Sequence, residues 1–148
     1  MKLKTLATAT MTTVVLAVGG VGLFDATASA QTAAAGSCGG NGPLVTDPGG
    51  HRYPTTYCRN YVGGALYNGA VKVGYLNAGR NWFACQKLGA ENPAVGGARN
   101  NYWLYTKGDK AYADGGWGWF PATMVSGGGN YERVPDLSLC DRSTRLPK

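Results

Sequence analysis

The sequence predicts an all-β fold, a small barrel or sandwich of short strands. Three observations carry that expectation. Aromatic and aliphatic residues alternate with small or polar ones in short runs, as in Val71-Lys72-Val73-Gly74-Tyr75 and Trp117-Gly118-Trp119. Clusters of Gly, Pro and Asn break the chain between those runs. No stretch carries the apolar period of a helix over a useful length. With 24 glycines in 148 residues, ordering the backbone is costly, so disulfides and aromatic burial are expected to offset much of that cost.

The chain opens as an export signal. Met1-Lys2-Leu3-Lys4 is basic, Leu6 to Phe24 is almost free of charge, and Ala28-Ser29-Ala30 is a small-x-small triplet that suits signal peptidase. Residues 1–30 are therefore expected to be a signal peptide, leaving a mature chain from Gln31 to Lys148. A membrane anchor is disfavoured because threonines and glycines thin the apolar run and no basic stop-transfer flank follows it. A lipoprotein is disfavoured by Ala35, three residues before Cys38. The expected location is secreted, extracellular or associated with the cell wall, with no membrane attachment after cleavage. The formal net charge of +6 is scattered rather than clustered. It suits a soluble basic surface or weak attraction to anionic polymers such as teichoic acids, and no motif points to specific nucleic-acid binding.

Cys38, Cys58, Cys85 and Cys140 make an even count in a small exported chain, which reads as two disulfides. Their spacings and the single histidine argue against zinc, and neither a metal nor a cofactor is expected. Three connectivities exist. Cys38–Cys58 with Cys85–Cys140 is favoured, because the first closes a local loop and the second ties the tail to the core. Closing the longer loop is worth about 4 kcal/mol in the chain-entropy model.

Four segments follow in order: the signal peptide (1–30), a Gly/Pro-rich N-terminal arm (31–64), a β-domain (65–134) and a C-terminal tail (135–148) tied by Cys140. Gly39-Gly40-Asn41-Gly42-Pro43 and Asp47-Pro48-Gly49-Gly50 mark the arm as loop-like, with Leu44 and Val45 its main burial candidates. Tyr53, Tyr57 and Tyr61 gather around Cys58. In the β-domain, strands are expected around Val71–Tyr75, Asn81–Gln86, Asn101–Thr106, Ala111–Ala113 and Trp117–Phe120. Within Asn81–Gln86, Phe83 and Cys85 should share one face and Trp82 and Ala84 the other. Gly89 to Asn100 is a long loop. Pro121 cannot donate into a sheet, so the last of these strands should end there and pass into a 3₁₀ turn over Ala122 to Val125. Tyr131 and Val134 are expected in a final short strand.

In this order the motifs resemble the SH3-like barrel, above all the bacterial SH3 (SH3b) domains of exported envelope proteins and small secreted actinobacterial proteins of that type. Gly74-Tyr75-Leu76-Asn77-Ala78-Gly79 before Trp82-Phe83-Ala84-Cys85 resembles the family's Gly-x-Leu-x-x-Gly turn into an apolar strand. Trp103 sits where a strand tryptophan is common. Gly118-Trp119-Phe120-Pro121-Ala122 with Val125 resembles the closing turn, and Ala65-Leu66-Tyr67 the Ala-Leu-Tyr opening of eukaryotic SH3 domains. The resemblance spans roughly Ala65 to Val134. It implies a small SH3-like barrel and a targeting module for cell-wall peptide or glycan. The Asn-x-Arg-Ser-Gly-Pro segment common in SH3b domains is absent. Thr123 and Met124 stand where eukaryotic SH3 domains carry Asn and Tyr, so a groove for Pro-rich peptides is not implied.

Catalytic chemistry finds little footing. His51 lies alone in the arm, the cysteines are expected to be oxidised, and the pairs Glu91/Glu132 and Asp109/Asp114 lie in loops where solvated acids are the norm. The aromatics are the better lead. A small barrel has too little interior for Trp82, Trp103, Trp117, Trp119 and their tyrosine neighbours together. Some should form an open platform for a sugar ring or a peptide. With Gly118 turned inward, Trp117 and Trp119 should face outward near Tyr102 and Tyr105, with Trp119 the more buried and Trp117 the ligand contact. The expected ligand-binding set is Trp117, Tyr102, Tyr105, Trp103 and Trp119. The expected function is a monomeric, non-enzymatic secreted binding module whose partner is peptidoglycan or another wall polymer, or an extracellular protein. The alternatives are an inhibitor or toxin-like protein acting through the Gly89–Asn100 loop and, lowest, a small secreted hydrolase.

Overall fold

A computed structural model describes residues 38–140. The expected signal peptide and the end of the tail lie outside that range. The fold is all-β. Its strands are β1 (Cys38–Asn41), β2 (Val45–Thr46), β3 (Arg52–Tyr53), β4 (Thr56–Asn60), β5 (Gly64–Asn68), β6 (Val71–Leu76), β7 (Gly79–Phe83), β8 (Cys85–Leu88), β9 (Tyr102–Lys107), β10 (Lys110–Ala111) and β11 (Trp117–Pro121). Single 3₁₀ turns at Asp114–Gly116 and Ala122–Met124 flank β11, so the strand ends at Pro121 as its missing donor requires.

The strands form a six-stranded sheet in the order β10-β6-β5-β11-β9-β8, a three-stranded sheet β1-β4-β7 and the hairpin β2-β3, all antiparallel. The six-stranded sheet does not close on itself; β10 and β8 are its two edges.

The strand expected over Asn81–Gln86 breaks at Ala84, where the chain leaves the three-stranded sheet (β7) and joins the six-stranded one (β8). The Ala84 amide donates to Tyr105 O at 2.8 Å and the Thr106 hydroxyl to Trp82 O at 2.6 Å, which pins the crossing to β9. The break interrupts the alternation. Phe83 packs in one cluster and Cys85 in the other, so the two do not share a face.

Two further expectations are corrected. The segment 38–60 carries four short strands in place of the expected loop-like arm: β4 pairs with β7 over its whole length, and Cys38 lies opposite Cys58. Leu44 is exposed, while Val45 is half-buried. Nor do Tyr131 and Val134 form a strand. Tyr131 is exposed and Val134 is buried, held by the buried side chain of Gln86. That amide donates to Val134 O at 2.7 Å and Leu137 O at 2.6 Å, and accepts from the Val134 amide at 2.7 Å. One glutamine thus supplies the partners a strand would have needed.

Both favoured disulfides, Cys38–Cys58 and Cys85–Cys140, are formed. Two hydrophobic clusters lie on opposite sides of β11. Leu66, Val73, Leu76, Phe83, Leu104 and Phe120 form the larger, with Cys38 and Cys58 inside it. Each large side chain there contributes about 1.5–3 kcal/mol by leaving water. Gly118 faces this cluster. A Cβ on it would stand 2.5 Å from Val73 Cγ2 and 3.1 Å from Tyr67 O, so only glycine lets β11 lie this close. Trp117 and Trp119 point the other way, into an aromatic cluster with Ala84, Cys85 and Tyr105.

Candidate functional site

β9 and β11 pair in register, with Trp119 opposite Tyr105 and Pro121 opposite Trp103. Strand alternation therefore places Trp103, Tyr105, Trp117 and Trp119 on one face. Tyr102 falls on the other and packs against the aliphatic cluster, so it does not join the expected platform.

The expectation that Trp117 is the open contact is also corrected. Trp117 is 6% exposed and Trp119 5%. The Trp117 ring centroid lies 5.4 Å from Tyr105 and 5.5 Å from Trp82. Tyr105 is buried in turn, with Trp119 at 4.9 Å and Tyr53 at 5.8 Å edge-on. The cover comes from the N-terminal segment. Val45 and Tyr53 of the β2-β3 hairpin pack on this cluster, and Asp47 accepts from the hydroxyls of Tyr53 at 3.2 Å and Tyr105 at 3.4 Å. Burial, followed by the Asp47 charge, pushes the Tyr105 phenol far above its ordinary range.

At the other end of the same face the cover stops. A cleft of about 260 Å³ opens there, lined by Tyr67, Gly69, Lys87, Gly89, Ala90, Trp103 and Trp119. β5 supplies Tyr67, the register partner of Trp119. β8 supplies Lys87, the register partner of Trp103. Tyr67 and Trp103 meet edge to face, with centroids 6.3 Å apart and planes at 85°. Trp103 is fixed by Gly89 and Ala90, which also line the cleft. Its indole N–H donates to Ala90 O at 2.7 Å, and its ring lies so close over Gly89 that a Cβ there would stand 2.8 Å from Cδ1. The Trp119 indole nitrogen is buried without a protein partner.

The Lys87 ammonium sits 4.0 Å from the Trp119 ring centroid, a cation–π arrangement. Burial lowers its pKa to about 8, because the charged form loses water against the aromatic wall. Lys87 and Tyr67 are the site residues that sequence reasoning missed. A lone lysine in a strand reads as solvated. The signal that marks Lys87, its cross-strand pairing with Trp103, is hidden by the long Gly89–Asn101 connection.

The acidic candidates are all engaged elsewhere. Glu91 accepts from the Tyr131 hydroxyl at 3.1 Å and Glu132 from the Gly129 amide at 2.9 Å. Asp109 accepts from the Asn77 amide and Asp114 from the Asn68 side chain, each at 2.7 Å. His51 Nδ1 lies 3.4 Å from Asp47. Among the described residues no group of three or more His, Cys, Asp or Glu could hold a metal ion. No helix among them is long and apolar enough to cross a membrane. The two disulfides suit an oxidising, extracellular environment. No protein-family model, curated protein or solved structure matches the chain.

Proposed function

We propose that this protein is a secreted, non-enzymatic binding module of SH3-like architecture whose Trp103–Trp119 cleft engages cell-wall peptide or glycan. The observation that carries this reading is the cleft itself: Trp103, Trp119 and Tyr67 line it from three adjacent strands, beside one lysine. Aromatic faces on a rigid sheet suit stacking on a ring or gripping a short segment at low entropic cost. The SH3-like reading draws support from the strand–Pro–3₁₀ passage at Pro121–Met124 and from the antiparallel, disulfide-fixed sheets. The acids and the histidine hold loops and turns, which favours binding over hydrolysis.

A second reading, an inhibitor acting through the Gly89–Asn100 loop, has its own support. That loop is pinned by Asn92 N to Asn100 O at 2.8 Å, the Thr123 hydroxyl to Pro93 O at 2.8 Å and Ala98 N to Val95 O at 3.0 Å, while Pro93, Ala94, Gly96 and Gly97 stay exposed. Co-sedimentation with purified cell walls, run beside inhibition of secreted proteases on the same sample, separates the two. Retention on walls without inhibition is expected; inhibition without retention would replace the first reading by the second.

A further inference from the structure

The Lys87 ammonium has no counter-charge among the described residues, where the one ion pair is His51–Asp47. It is half-buried, with its charge set against the face of Trp119 and not against a carboxylate. A cation held so has given up part of its hydration and regained only the ring's quadrupole. An arriving anion gains a charge-assisted hydrogen bond there. An arriving cation meets like charge, and the face of Trp119 that would attract it is already taken.

The walls set the rest of the ligand. A volume of about 260 Å³ falls below the roughly 300–1,000 Å³ of pockets for drug-sized molecules, so it suits a single ring. The Tyr67 and Trp103 rings offer that ring an apolar face and an edge. A peptide docking by strand addition needs a free sheet edge. The nearby edge, β8, is engaged at Gln86, whose amide donates to Ser138 O at 2.9 Å and whose carbonyl accepts from Cys140 N at 2.9 Å.

We propose that the cleft takes an acidic saccharide, one sugar ring lying against Trp103 and Tyr67 with its carboxylate on Lys87 Nζ. This rests on the wall-binding reading above and narrows it. Lys87 titrates at about 8, so it is charged below that pH and neutral above it. Tyr67 is the one other ionisable side chain lining the cleft. Preference for the acid should therefore be full in mildly acidic buffer and fade as pH rises through that value.

The test uses the disulfide-bonded chain and two probes that share a ring, N-acetylglucosamine and N-acetylmuramic acid, followed through the indole resonance of Trp103. At pH about 6.5 the acid should bind about ten-fold tighter, the scale of one charge-assisted hydrogen bond. The preference should vanish in Lys87→Met, fall to about two-fold near pH 9 (about one unit above the lysine's titration, where about a tenth of it stays charged), and persist in Lys87→Arg. Equal affinity for both sugars in the natural chain, or a preference that survives Lys87→Met, overturns the acidic-ligand inference while leaving the stacking site in place. If neither sugar moves the Trp103 resonance, the cleft is not a saccharide site. Tighter binding of the dipeptide Ala-Ala than of the acidic sugar overturns the inference in favour of a peptide.

Discussion

The two sides of β11 are built from the same five residues, Trp117 to Pro121, yet they end as different kinds of surface. On one side Gly118 and Phe120 meet Leu66, Val73 and Leu104 in a sealed aliphatic core. On the other, Trp117 and Trp119 enter an aromatic layer that the β2-β3 hairpin covers at its Tyr105 end and leaves open at its Trp103 end. Strand alternation decides which residues share a side. What lies over each side decides whether it becomes core or cleft. The difference comes from the N-terminal segment, in which Val45 is a burial candidate from the sequence but the Gly/Pro-rich composition gives no local sign of which surface it covers.

That contrast can be broken most forcefully from the sealed side. Phe120→Ala is expected to cost about 3–5 kcal/mol in chemical denaturation, the range for emptying a large aromatic site in a packed core. A much smaller loss would mean that the two sides do not differ as described.

The disulfides probe whether the N-terminal segment belongs to the fold. The chain-entropy model assigns about 4 kcal/mol to the longer loop and about 3 kcal/mol to the shorter, for sequence separations of 55 and 20. Taken alone, those loop lengths make the loss of Cys85–Cys140 the worse of the two. The structure narrows the gap, because Cys38 and Cys58 are buried in the main core while Cys140 is half-exposed. Replacing each pair by serines should therefore lower stability by about equal amounts, and not by the roughly 1 kcal/mol difference that loop length alone would set. A Cys38/Cys58 variant close to the natural chain would return that segment to the status of a loose arm.

Gly118→Ala sharpens the same contrast at smaller scale. Its methyl must enter the aliphatic side against Val73 and the Tyr67 carbonyl, so a loss of about 1–3 kcal/mol is expected from overpacking. The Trp103 cleft on the opposite side should keep its ligand.

The covered end of the aromatic side should loosen in acid. Burial alone would raise the Asp47 pKa, but the His51 amide, the Tyr53 hydroxyl and the His51 charge together lower it. A carboxyl whose pKa falls on folding adds stability that is present above its unfolded value, about 4, and is lost as pH drops through the lower folded value. Tyrosine fluorescence should report release of the hairpin below about pH 4, ahead of global unfolding. Asp47→Asn should abolish that separate step.

Much of this was legible in the sequence, for physical reasons that can be named. Alternation placed the strands of the β-domain, Pro121 ended β11, and the turn to Gly118 set the tryptophans apart from the aliphatic core. The loop-closure preference picked the two disulfides that form. Non-local contacts were out of reach. The break at Ala84 depends on a sheet change, and the docking of Val134 depends on the buried Gln86 side chain. Cover over Tyr105 and its aromatic cluster comes from Val45 and Tyr53, more than fifty positions earlier in the chain. At the site, Trp103 and Trp119 were accessible from the sequence as aromatics on strands. Lys87 and Tyr67 became neighbours only through the registers of β8 with β9 and β5 with β11.

The central claim is that the open end of the aromatic side is for binding and the covered end for stability. Trp103→Ala tests it most directly, with wall retention and chemical denaturation measured on one preparation. Trp103 is half-buried at the rim of the cleft, so the variant should stay folded, with a loss below the roughly 3–5 kcal/mol of a fully buried tryptophan, and should lose retention on purified walls. A folded Trp103→Ala protein that still binds walls as the natural chain does would contradict the account.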